Sequence, residues 1–251
     1  MIVVCFGLQR SGSTLAFELA RAVLERAGHD QARLSSELLG HDRPENFVDD
    51  VSLARLERIE RATGERTVAI KTHAAAPPDV AARLAEQPAR FPAVLVSYRD
   101  PRGIGLSLLD AGHRARLGLR RQPPRPMLAL DRLTSRNAYG EAFASLVDHG
   151  DAIRVIEGGI ARAATWLACP QAHPCGYDAL MSDWDAGAEA IAKALGGELT
   201  GAEAGAALEG RFTQLAVGRP GRWREVLSPE MDRLYRERLG RPFERVFGHA
   251  F

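Results

Sequence analysis

Arg10 stands directly before Ser11, Gly12, Ser13 and Thr14, and Gly7 lies five positions ahead of Gly12. A guanidinium, three hydroxyls and two glycines at this spacing suit the binding of an anion. Glycines let the backbone curl so that successive N–H groups point inward, and a helix opening at the hydroxyl residues puts the positive end of its dipole beneath them. The spacing follows the phosphate-loop pattern G-x4-G-K-[ST], with Ser13 in place of the lysine. A triphosphate-cleaving loop uses that lysine on the β- and γ-phosphates and a hydroxyl on Mg²⁺. Here the nearby cation is Arg10, inside the loop.

Two further sets of residues bear chemistry. Lys71 and His73 close the run Thr67 to His73, T-V-A-I-K-T-H, and Lys71 is one of only two lysines, with Lys193. A lysine ammonium is a compact point charge, and a neutral histidine is a base near physiological pH. Arg99 follows the apolar run Pro92 to Tyr98, and Ser107 lies eight residues further on. Alone, His73 reads better as a surface histidine after a strand, and Arg99 also fits as the partner of Asp100 or another nearby acid.

Elements must bring these sets together. The β-branched run from Ile2 to Gly7 predicts a first strand, and the sequence from Ser13 predicts an amphipathic helix ending near Gly28. Thr67 to His73 and Pro92 to Tyr98 predict two more strands. In an open α/β sheet the carboxyl ends of such strands border one crevice, which places Lys71, His73 and Arg99 beside the Gly7 to Thr14 loop. Asp100 is a good N-cap and Pro101 suits the first helical position, so Ser107 falls near the second turn of a helix.

Between these elements, His29 to Asp50 reads as a polar loop whose carboxylates Glu37, Asp42 and Glu45 face either an acceptor or solvent. Val51 to Ala62 has helical spacing. Gly118 to Met127 is basic and proline-rich and reads as a segment able to cover an acceptor cleft. Leu128 to Val147 and Ala152 to Ala168 have helical spacing, although Ile153 to Ile156 also fits a strand. A helix is expected around Ala186 to Leu195 and another from Ser228 through Leu239. The alternation predicts a P-loop-like α/β three-layer sandwich, a central mainly parallel sheet with helices on both faces. With no internal repeat and no linker, residues 1–251 read as a single domain.

The composition is that of an ordinary globular protein: 45% hydrophobic, 26% charged, net charge +1. No nucleic-acid partner is expected from this balance. No apolar run approaches the ~20 residues that span a bilayer, and M-I-V-V-C-F-G is not a basic leader, so no membrane span and a cytoplasmic location are expected. Cys5, Cys169 and Cys175 cannot build a disulfide framework, and the spacing Cys169, His173, Cys175 matches no zinc pattern, so no metal is expected.

The loop Arg10-Ser11-Gly12-Ser13-Thr14 resembles the 5′-phosphosulfate loop, roughly [KR]-[ST]-G-[ST]-[ST], of the PAPS-dependent sulfotransferases. The resemblance extends to Lys71-Thr72-His73, to Arg99 with Ser107, to Tyr177-Asp178-Ala179-Leu180 against Y-E-D-L, and to Gly218, Gly221, Trp223, Asp232 and Tyr235 against R-K-G-x-x-G-D-W and its following helix. Two departures stand out: Ala216-Val217 replace the R-K pair, and Arg222 replaces the aspartate before Trp223.

The resemblance implies transfer of a sulfuryl group from PAPS to a hydroxyl or amine of a small-molecule or carbohydrate acceptor, giving 3′,5′-ADP (PAP), without a metal. It implies His73 as catalytic base, with Lys71 and Arg10 as the catalytic cations. Arg10, Ser11, Gly12, Ser13, Thr14, Arg99, Ser107, Tyr177, Gly218 and Arg219 would bind the nucleotide, Arg219 standing in for the missing cations. Some relatives use a glutamate base, which keeps Glu37 and Glu45 open. Arg114, Arg116, Arg120, Arg121 and Arg125 suit either an anionic or carbohydrate acceptor or a solvated helix face. The alternatives are a P-loop nucleotide kinase, which lacks the loop lysine and a clear aspartate after an apolar strand, and a non-catalytic binder of 3′-phosphoadenylates.

Overall fold

The computed structural model describes residues 1–41, 45–117, 143–209, 211 and 220–251. The chain forms two compact units, one from Met1–Arg99 with Gly159–Leu215 and the other from Asp100–Gly158 with Ala216–Phe251.

The first unit is built on a four-stranded, all-parallel sheet: β1 (Ile2–Gly7), β2 (Val68–Thr72), β3 (Val94–Tyr98) and β4 (Ala172–Gly176), in the order β2-β1-β3-β4. Every residue of β1 is buried, as expected of a central parallel strand covered on both faces, where an unbroken apolar run replaces alternation. From β1 the chain goes to one side to make β2, then crosses to the other side to make β3. The topological switch point therefore lies between β1 and β3, where crevices open at the carboxyl ends of such sheets. β4 is an edge strand, only partly buried, and tolerates Pro174 for that reason.

Helix α1 (Ser13–Arg26) follows β1 and is buried over most of its length, including Leu15, Phe17 and Leu19. Its one deeply buried charge, Glu18, is met by Arg21 at 3.0 Å and Arg211 at 3.2 Å, which an uncompensated carboxylate at that depth requires. The expected loop His29 to Asp50 contains a short helix, α2 (Ser36–Leu39), and its end runs beside the sheet: Lys71 N donates to Asn46 O and Val48 N donates to Lys71 O, both at 2.8 Å. Helix α3 (Leu53–Thr63) lies near its expected place, and α4 (Pro78–Glu86) follows β2.

The second unit opens with α5 (Pro101–Arg116), capped by the Asp100 carboxylate on Arg102 N. The run around Ile153 to Ile156 is helical and not a strand, inside α6 (His149–Leu167). In the first unit the chain continues through α7 (Tyr177–Ser182), α8 (Trp184–Ala194) and α9 (Gly201–Leu208). The second unit ends with α10 (Trp223–Val226) and α11 (Pro229–Phe247). The last helix was expected to stop at Leu239, but it continues through Pro242 because fully buried Phe243 packs against Phe247 and Phe251. Gly118 to Met127 and most of Leu128 to Val147 lie outside the described residues.

Arg102, on the first turn of α5, organises the second unit. It is 3% exposed, pairs with Asp100 at 2.7 Å and Asp232 at 2.8 Å, and lies 3.5 Å from the centre of the Trp223 ring. Burial alone would raise the Asp232 carboxyl. Hydrogen bonds from Arg102 and Arg236 outweigh it and hold this group below its usual value of 3.8. A depressed folded-state pKa contributes stability that is present above the unfolded value and lost as pH falls through the folded one. Arg102→Ala removes the cation that Asp100 and Asp232 share, leaving Asp232 with Arg236 and Asp100 with the backbone N–H it caps, so chemical denaturation at neutral pH is expected to show a loss of about 1–3 kcal/mol. The deficit should shrink as the pH falls below 3.8 and through the lower value at which the parent's Asp232 protonates.

Candidate functional site

At the carboxyl ends of β1, β2 and β3 the first unit buries a group of polar side chains that a core would ordinarily exclude. Ser11, Ser13, Thr14, Lys71, Thr72, Ser97 and Arg99 are all under 9% exposed. Each costs free energy to bury unless it is hydrogen-bonded, so their concentration at one end of the sheet calls for a local reason.

The loop from Leu8 to Gly12 turns tightly. Ser11 N donates to Leu8 O at 3.1 Å, and Ser11 Oγ donates to Ser97 O at 3.0 Å, tying the loop to β3. Arg10 takes φ +67, the one non-glycine residue with positive φ among those described. Gly12 takes φ +86 and precedes α1, and having no side chain it supplies no cap to the first helical N–H groups, which stand at the loop. Gly12 is fixed a second time by packing, because a Cβ there would run into the Tyr177 ring.

Lys71 is 2% exposed on β2. Its Nζ donates to Thr14 Oγ1 at 2.7 Å and lies 5.9 Å from the Phe47 ring centre. The first-turn hydroxyl of α1 and the buried ammonium are thereby joined. His73 Nδ1 lies 2.5 Å from Gly7 O, and a carbonyl only accepts, so Nδ1 carries the proton. In the neutral ring that assigns Nε2 as the acceptor, the tautomer a general base needs. Phe47 flanks His73 with ring centres 5.3 Å apart, and the carbonyl of the same Phe47 lies 2.7 Å from His41 Nε2.

Behind His73 the β2 exit is anchored by α6, where Trp166 Nε1 donates to Ala74 O at 2.8 Å and Thr165 Oγ1 accepts from Ala76 N at 2.8 Å. Arg99 directly follows β3, with its guanidinium 4.6 Å from the Tyr177 ring centre and its Nε 3.7 Å from Asp178 Oδ1. Arg99 is thus paired with a nearby acid, Asp178, while Asp100 is engaged by Arg102. Burial pushes the Tyr177 phenol up, against the pull of Arg99.

One unit thus brings together Arg10, Ser11, Gly12, Ser13, Thr14, Lys71, His73, Arg99 and Tyr177. Ser107 belongs to the second unit, on α5, and Gly218 and Arg219 lie outside the described residues, as does Asp42. Glu37 is on the surface, its side chain 87% exposed and paired with Arg58 at 3.3 Å. Among the described residues, no three His, Cys, Asp or Glu side chains cluster to hold a metal. Burial pushes the Cys175 thiol up to about 12. No helix among the described residues is long and apolar enough to cross a membrane.

Phe47, Ser97, Asp178 and Arg102 were not singled out from the sequence. Asp178 was at hand inside the Tyr177 to Leu180 motif. Arg102 had a local partner in Asp100, but its second partner, Asp232, is 130 positions away.

No family model matches the sequence, and neither does any curated protein. Solved structures do match. Retinol dehydratase in complex with androsterone and the inactive cofactor PAP is 16% identical, covers 98% of this chain and 81% of that one, and superposes with a TM-score of 0.51. Retinol dehydratase with retinol and PAP is 16% identical, at 98% and 82% coverage and a TM-score of 0.50. A mouse sulfotransferase complexed with PAP, 14% identical at 95% and 84% coverage, stands at 0.49. The likeness to the retinol dehydratase structures spans nearly the whole chain and is one of fold, which in this chain is an α/β arrangement around an all-parallel sheet among the described residues.

Gly12→Ala is expected to lower stability by about 1–3 kcal/mol from backbone strain alone, with the Tyr177 clash added. The measurement is thermal melting, and a variant that melts with the parent would show that the loop and Tyr177 are not packed as described.

Proposed function

We propose that the chain is a PAPS-dependent sulfotransferase, one domain across residues 1–251, acting on a hydroxyl or amine of a small-molecule or carbohydrate acceptor. The observation that carries this reading is His73: its Nδ1 proton is committed to the Gly7 carbonyl at the end of the phosphate loop, beside a buried Lys71 held by Thr14. A base, a cation and an anion cradle are parts that a group transfer from a phosphate needs.

PAPS supplies an activated sulfuryl group on a 5′-phosphate. In this proposal the amides and hydroxyls of Ser11, Gly12, Ser13 and Thr14 hold that phosphate, with Arg10 and Lys71 countering the charge that gathers on its bridging oxygen. Preorganised donors of this kind act without reorganising during the reaction. His73 Nε2 takes the proton from the acceptor, and the Gly7 carbonyl steadies the resulting imidazolium through Nδ1–H. Arg99 meets the 3′-phosphate, and Tyr177 backs both it and the loop. Ser107, Gly218 and Arg219 keep the nucleotide-binding roles that the motif resemblance implies. The scheme needs no metal ligands, and the protein acts in the cytoplasm.

The test is transfer of labelled sulfuryl from PAPS to a panel of phenols, alcohols, amines and sugars. The parent is expected to label at least one class. His73→Ala should lose about 10²–10⁴-fold in turnover, the range of a general base, while its affinity for PAP stays within twofold. Full activity in that variant would move the base to a carboxylate such as Glu45. Phosphoryl transfer from Mg·ATP with no sulfuryl transfer would favour a kinase, and PAP binding without any product a non-catalytic binder.

A further inference from the structure

Asp178 places a fixed carboxylate on the cation that the proposed function assigns to the 3′-phosphate. Its Oδ1 is 3.7 Å from Arg99 Nε, and the two side chains are 34% and 10% exposed. The guanidinium has little freedom to leave, because its carbon lies 4.6 Å from the centre of the Tyr177 ring and that ring is seated against Gly12. Asp178 sits in the first turn of α7, directly after Tyr177, so its backbone is held by the same packing.

A cation pinned on an aromatic face and paired with a resident anion meets any incoming phosphate as a contested site. Two unit charges a few ångströms apart attract each other appreciably even at an effective dielectric of about 20. The carboxylate therefore takes part of the attraction of Arg99 and repels the ligand directly. An asparagine of the same shape would do neither.

We infer that Asp178 is an internal competitor for Arg99 that weakens the hold on the 3′-phosphate and so sets how strongly the site distinguishes 3′-phosphorylated nucleotides and how readily it gives up PAP. This rests on the proposed nucleotide site and deepens it. Asp178 acts chiefly through Arg99 and is a positioning residue. Because Arg99 keeps its seat on Tyr177 without the carboxylate, loss of Asp178 tightens the site instead of disordering it.

The experiment is calorimetric titration of the full chain with PAP and with 5′-ADP, on the parent, Asp178→Asn, Arg99→Ala and the double variant, each first shown to melt cooperatively. Asp178→Asn should tighten PAP by roughly 3–10-fold, the factor corresponding to about 0.7–1.4 kcal/mol, and change 5′-ADP by less than twofold. In the Arg99→Ala background the same substitution should gain at most half as much. An unchanged or reduced PAP to 5′-ADP ratio in Asp178→Asn, with the Arg99 dependence intact, would overturn the competitor role. Absence of any 3′-phosphate preference in the parent would instead fail the proposed site itself. If Asp178→Asn melts poorly, Asp178→Ser serves as the second variant, with the same selectivity expected.

Discussion

Position 7 has no room for a side chain, and the site depends on that. A Cβ on Gly7 would collide with the Cβ of Ser13, and would sit 3.1 Å from that of Ser97 and 3.2 Å from Ser11 Oγ. Because the strand ends in a bare backbone, α1 can start close against β1 and β3, and Ser11 can reach across to the Ser97 carbonyl. The same residue offers its own carbonyl to His73. The cradle and the base are therefore set by one glycine, and the distance between them is a property of the main chain instead of side-chain rotamers.

Around this point the fold gives up apolar packing. Lys71 occupies a strand position that the neighbouring Ala69 and Ile70 fill with apolar groups, and its charge is accommodated by Thr14 Oγ1 and the face of Phe47. Such a cation is tolerable only while its donors are met. The first unit makes up for the loss elsewhere: β1 is buried throughout, and Trp166 is fully buried with its indole N–H satisfied by Ala74 O. A polar end on an apolar sheet is the general arrangement by which such folds hold ligands while the remainder keeps them folded.

Much of this was legible from residue order. Ile2 to Gly7, Thr67 to His73 and Pro92 to Tyr98 are short β-branched or apolar runs ending at chemically distinctive residues, and three of the four strands lie there, the third starting two residues later than expected. Asp100-Pro101 marked the start of α5 by capping chemistry alone. Long-range partners were harder to see. Nothing local says that Phe47, in a polar stretch, pairs along β2 and flanks His73, or that Arg102 gathers Asp232 and Trp223. The helix through Pro242 was missed because proline is a local stop signal, while the reason for continuing is the buried Phe243 one residue later. Local chemistry marks ends and caps; pairings depend on tertiary packing that a pattern of residue types does not encode.

The most direct test of the central claim is calorimetric titration of the unmodified protein, in the absence of metal, with PAP, 5′-ADP and ATP in parallel. A cradle that works with Arg99 to hold a 3′-phosphorylated adenylate predicts PAP as the tightest ligand, by tenfold or more over 5′-ADP and ATP. Binding that favours ATP and arises only on addition of Mg²⁺ would contradict the account and leave the phosphate loop to a kinase.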